Sequence, residues 1–147
     1  MNRLLKGILC LTLALTGVIT KAQQAQPNAP ATPNVSMKDS LIQQYNYVLN
    51  GMPFEYTLIT FGSHYCRPCK QMESVLDSIR VFQPKMNVRF LDASNKANAR
   101  WVDFFQIEFI PQELVLNKKA ELVYRHKGYL SYDDLMKHIN DINNEKD

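Results

Sequence analysis

Apolar positions recur along the chain with two different periods, one helical and one extended. Leu41, Tyr45, Val48 and Leu49 keep the spacing of one helix face. Ser36 and Asp39 stand where such a helix would start, and Gly51 and Pro53 where it would stop. Tyr56-Thr-Leu-Ile-Thr-Phe61 is short, apolar and rich in β-formers, which predicts a buried strand. A second helix is expected at or just after Cys66, with Met72, Val75, Leu76 and Ile79 on its apolar face and Pro84 closing the segment. Val88-Arg-Phe-Leu91 predicts the next strand. Asn98 to Phe105 predicts a helix that packs Trp101, Phe104 and Phe105 inward. Beyond Phe109-Ile-Pro111, the runs Leu114-Val-Leu116 and Glu121-Leu-Val-Tyr124 flank the turn Asn117-Lys-Lys-Ala120 as a hairpin. After Gly128, Ser131 with Asp134 opens a last helix carrying Leu135, Ile139 and Ile142.

A strand, a helix and a second strand in succession demand a parallel pair with a right-handed crossover. A hairpin and a closing helix then complete an α/β domain over residues 36–147, a central mixed β-sheet flanked by helices on both faces. About 110 residues suffice to bury such a core.

Composition changes this picture only at the N-terminus. The 147-residue chain is 46% hydrophobic and 21% charged, which suits a globular protein. Its formal charge is +3, but Arg3, Lys6 and Lys21 fall in the first 22 residues, which hold no acid. The rest carries equal numbers of acidic and basic residues, so the excess gives no reason to expect nucleic acid as a partner. Residues 1–22 combine a basic start, an apolar run from about Gly7 to Thr20, and Thr20-Lys-Ala22. They predict a signal peptide cleaved after Ala22. The run is shorter than the ~20 residues that span a bilayer. Cys10 lies inside it rather than after it, as a lipidated cysteine would, and is expected to leave with the leader. Residues 23–35, QQAQPNAPATPNV, are uncharged with three prolines and predict a flexible linker. The protein is therefore expected to be periplasmic or secreted, touching a membrane only if the leader stays attached.

The mature chain then holds two cysteines, Cys66 and Cys69, in Phe61-Gly-Ser-His-Tyr-Cys-Arg-Pro-Cys-Lys70. A structural zinc site needs four ligands, and His64, His126 and His138 are badly placed to complete one. Covalent haem needs a histidine after the second cysteine, and position 70 is Lys. A permanent crosslink over so short a loop would constrain the unfolded chain little. A reversible disulfide fits best, in a compartment where thiols oxidise. At a helix start, unpaired backbone N–H groups and the helix dipole stabilise a thiolate. Cys66 is therefore expected to attack a client disulfide, and Cys69, one turn inside, to resolve the mixed disulfide. Arg67 adds a nearby positive charge, Pro68 suits a first helical turn, and His64 would help the thiolate if protonated.

These features resemble the thioredoxin superfamily. The likeness rests on the strand ending Thr60-Phe61, on Tyr65-Cys66-Arg-Pro-Cys69-Lys70, and on Ile110-Pro111 ahead of a hairpin, Gly128 and a final helix. It spans roughly residues 38–143. The resemblance implies a cis Pro111 facing the cysteines, with Ile110 offering its backbone to the bound client and Tyr65, Arg67 and Pro68 beside it. It implies no cofactor and no metal. With the leader and linker, it points to exported thioredoxin-like reductases, which take electrons from a membrane donor and pass them to protein disulfide clients. A non-catalytic envelope binding module and a disulfide-forming oxidant or isomerase are the alternatives. Two positions depart from the family pattern. Tyr65 stands where Trp is usual, and Thr60 where the family buries an Asp that relays protons. Glu113, in a strand whose two faces should both be covered, is a candidate replacement. It would otherwise lie in water at the strand's mouth or pair with a base such as Arg89.

Overall fold

In a computed structural model, which describes residues 36–144, four strands form one sheet between two helical layers. The expected leader, with Cys10, and the expected linker lie outside the described residues. The elements are α1 Met37–Tyr45, α2 Tyr47–Asn50, β1 Tyr56–Gly62, α3 Arg67–Phe82, β2 Met86–Asp92, a short 3-10 turn Lys96–Asn98, α4 Ala99–Phe104, β3 Gln112–Asn117, β4 Leu122–Lys127 and α5 Tyr132–Asn144.

The sheet runs β2-β1-β3-β4. β1 pairs with β2 in parallel and with β3 antiparallel, and β3 with β4 antiparallel. The two central strands are buried along their whole length. One face packs Leu58 and Val115 against Met72, Leu76 and Ile79 of α3 and Leu135 and Ile139 of α5. The other packs Ile59, Phe61, Leu114 and Leu116 against Leu41 and Tyr45 of α1 and against Phe105.

The serines read as helix starts cap their helices. Ser36 Oγ accepts from the Asp39 N–H at 3.1 Å, and Ser131 Oγ from the Asp134 N–H at 3.2 Å. Each hydroxyl also donates to the carboxylate three residues on. Such a cap is worth about 1 kcal/mol.

Two expectations about packing are corrected. The first helix does not continue through Leu49. Asn46 adopts an extended backbone, and its side chain caps a new turn by accepting from the Leu49 N–H. The Tyr47 N–H donates instead to the Lys118 carbonyl of the β3–β4 turn, at 2.9 Å. The break resets the helical phase. Tyr47 turns inward, its hydroxyl 2.6 Å from Thr57 Oγ1, while Val48 and Leu49 are exposed. In α4, Phe104 is likewise exposed rather than inward, and Trp101 is half-buried; Phe105 alone of the three is buried. Neighbouring helix positions are ~100° apart, so one short helix cannot turn both Phe104 and Phe105 to the sheet.

Candidate active site

Both cysteines owe their positions to the β1–α3 junction. β1 ends at Gly62, and the turn closes when Cys66 N–H donates to the Ser63 carbonyl at 3.1 Å. Cys66 is the N-cap of α3, and its Sγ accepts from the Cys69 N–H at 3.3 Å. That N–H is one of the donors a helix start leaves without a backbone partner. Pro68 lies in the first turn, where its missing N–H costs no helical hydrogen bond. Cys66 and Cys69 are joined as a disulfide, with Cα atoms 5.2 Å apart. Cys66 is half-buried and Cys69 completely buried.

The β3 entry faces the pair from the other side. The Ile110–Pro111 peptide is cis. The Ile110 carbonyl oxygen is 4.0 Å from Cys66 Sγ. Pro111 is buried, and its carbonyl accepts from the Gly128 N–H at 2.8 Å, fixing this loop to the end of β4. Tyr65 is 95% exposed, and Phe109 and Ile110 are also exposed, so the half-buried sulfur is bordered by apolar surface. Arg67 and Pro68 are exposed on the same turn.

Glu113 is fully buried, and neither carboxylate oxygen has a hydrogen-bond partner among the described residues. It is therefore neither at a wet strand mouth nor paired with Arg89, which is exposed and lies beside Tyr45. Register fixes its face. Glu113 is opposite Thr60 on β1, two residues before Val115 in the core beneath α3 and α5. Thr60 Oγ1 is likewise buried and unpartnered, and Gly62, two residues on, abuts Cys69. Thr60, Gly62 and Glu113 thus share the sheet face on which Cys69 rests. Loss of hydration on burial pushes the Glu113 carboxyl up to about 8, with its own backbone amide acting the other way.

Two residues of this neighbourhood carry no sequence signal. A Cβ at Gly62 would come within 2.6 Å of the Phe90 ring and 3.3 Å of Cys69 Cβ. Gly62→Ala is expected to destabilise the protein by about 1–3 kcal/mol through overpacking, which urea denaturation of the oxidised protein would measure. Glu73 meets His64 across the turn at 3.3 Å. Among the described residues no three His, Cys, Asp or Glu side chains converge as a metal site.

The thioredoxin family profile matches residues 38–141. The chain belongs to the thioredoxin family. With its paired cysteines it is a thiol–disulfide oxidoreductase. No curated protein matches it. Several solved structures superimpose on this thioredoxin-family chain. One is described only as a malarial protein, with a TM-score of 0.53 and 17% identity over 59% of this chain and 96% of that one. Another is thioredoxin-2, described as a component of the malaria parasite's protein secretion machinery, with a TM-score of 0.55 and 16% identity over 61% and 85% of the two chains. A point mutant of thioredoxin from Halobacterium salinarum gives 0.52 and 21%, over 60% and 75%. At such identities the likeness is one of fold.

Proposed function

We propose that this oxidoreductase is an exported reductase of protein disulfides. The observation that carries the reading is the asymmetry of the pair, with Cys66 half-exposed at the cap of α3 and Cys69 sealed beneath it. Cys66 thiolate attacks one sulfur of a client disulfide, forming a mixed disulfide and expelling the other client sulfur as a thiolate. Cys69 then loses its proton and attacks Cys66 Sγ. The internal disulfide forms, and the second client sulfur leaves. Two electrons have passed to the client. The Glu113 carboxylate accepts the Cys69 proton, in place of the acid absent at Thr60. Ile110 offers its carbonyl to the client backbone, Pro111 holds it toward Cys66, and Tyr65, Arg67 and Pro68 form the rest of the contact.

Direction depends on how well the thiolate is stabilised. Pro68 has no N–H to offer Cys66 Sγ, so fewer donors reach the sulfur than a non-proline residue would allow. A less stabilised thiolate makes a more reducing couple; Arg67 opposes this. The couple is expected nearer the roughly −270 mV of thioredoxin than the roughly −120 mV of the strong periplasmic oxidant. Redox titration against glutathione checks it, and a potential above about −150 mV would overturn the reductase reading. Insulin-disulfide reduction with dithiothreitol separates an enzyme from a binding module, which would give no rate above background. Export rests on residues 1–22, and reduction outside the cytoplasm calls for a membrane electron donor. N-terminal sequencing from the envelope fraction is expected to begin at Gln23; cytosolic recovery would refute export.

A further inference from the structure

One ionisable pair beside the cysteines has no part in the steps above. His64 lies in the β1–α3 turn, two residues ahead of Cys66. Its Nδ1 is 3.3 Å from Glu73 Oε1, and its ring rests against Phe90 with centroids 5.3 Å apart. Glu73 follows Cys69 by one helical turn, a rise of ~6 Å. Its side chain is 42% exposed, yet Oε1 is shut off from solvent with no hydrogen-bond partner among the described residues. That atom faces the imidazole alone. Phe90 ties the pair to the cysteines, because its ring also fills the space above Gly62 beside Cys69 Cβ. Asp92, at the end of β2, also acts on His64, and Arg67 and Lys70 are exposed in the first turn of α3 that follows it. Ser94 donates to the Asp92 carboxylate, which is thereby held below its ordinary range, with His64 adding to the effect.

We infer that His64 is a positioning residue that neutralises Glu73 and so sets how stable the Cys66 thiolate is. This rests on Cys66 being the attacking thiol. Reduction of the disulfide adds two electrons, leaving a thiolate on Cys66 and a proton on Cys69. A bare carboxylate on the same helix, about two turns from Cys66, repels that thiolate and favours the disulfide. A protonated imidazole cancels the carboxylate. The couple is then less reducing, and Cys66 more reactive, than the bare carboxylate would allow.

The test alkylates the fully reduced protein with iodoacetamide across pH at low ionic strength, where exposed charges are least screened. Peptide mass locates the modified cysteine. His64→Gln is expected to move the Cys66 profile upward by about 0.5 pH, a threefold loss of thiolate. Near pH 6 its potential should be ~14 mV more negative than wild type, since tenfold corresponds to 29.6 mV. Adding Glu73→Gln to His64→Gln should reverse the shift and return the profile close to wild type. A disturbed loop would not be repaired by a second substitution. No shift in His64→Gln, or a double variant displaced further the same way, with Cys66 still the labelled residue, overturns the inference alone. Faster labelling of Cys69 in the wild type overturns the assignment of the attacking thiol and this inference with it.

Discussion

Cys69→Ser is expected to collect covalent complexes with client proteins, while Cys66→Ser collects few or none. The expectation follows from the depth of the two sulfurs. Cys66 is half-buried at the helix cap, beside the Ile110 carbonyl, where an incoming disulfide can approach it in line. Cys69 is completely buried against Gly62 and Phe90 and has no path to a protein-sized client. A serine at position 69 leaves the first displacement intact and removes the second, so the mixed disulfide persists. A serine at position 66 removes the first. Turnover should fall to background in both variants, so turnover alone cannot distinguish the roles. The measurement that does is non-reducing electrophoresis after acid quench of cells expressing each variant, with reductant-sensitive complexes counted. Equal trapping by both, or trapping only by Cys66→Ser, would sink the assignment.

What could be read from the sequence and what could not divide along the range of the interactions involved. Ser36, Ser131 and the apolar face of α3 act within a few residues, and their elements form where the local pattern places them. The Cys-x-x-Cys turn is equally local, since Cys66 caps the helix that contains Cys69. The break at Asn46 is set by the Lys118 carbonyl, far along the chain, and no period within residues 36–50 encodes it. Phe104 faces outward because neighbouring positions of α4 lie ~100° apart, and Phe105 takes the inward one. Glu113 stood out as an acid in a strand expected to be covered on both faces. Which face it occupies depends on the register that sets it opposite Thr60. Gly62 and Glu73 gave no warning, because each matters only through a neighbour brought there by the fold, Phe90 in one case and His64 in the other.

Glu113→Gln is expected to make the oxidised protein more stable in alkaline solution and to slow resolution of the mixed disulfide. Both effects come from one buried carboxyl. In the folded protein it titrates at about 8, against 4.5 for an unperturbed glutamate. Burial is the cause, so the folded state holds its proton more tightly than the unfolded state does. Below pH 4.5 both states are protonated, and the group has no effect on the balance. As pH rises from 4.5 to 8 the unfolded state gains by ionising and stability falls; above 8 the loss levels off. At 1.36 kcal/mol per pH unit the total is roughly 5 kcal/mol, a large part of the 5–15 kcal/mol that holds a domain together. Glutamine cannot ionise. Urea denaturation at pH 4 should find the two proteins alike, and at pH 9 should find Glu113→Gln the more stable by several kcal/mol. Parallel curves would mean that the carboxyl escapes to water or a cation on ionising. The kinetic effect has the opposite sign. About one Glu113 in ten is ionised at pH 7 if it titrates near 8, and that ionised fraction can take the Cys69 proton. Wild-type resolution should therefore quicken between pH 6 and 8, while Glu113→Gln resolves at least tenfold more slowly and without that rise. A gain in stability together with a loss of rate is the signature expected of a buried base kept for chemistry. If Glu113→Gln gains stability but its resolution profile overlays wild type, the carboxyl is buried without a catalytic role, and Cys69 must lose its proton to water or to the departing client thiolate.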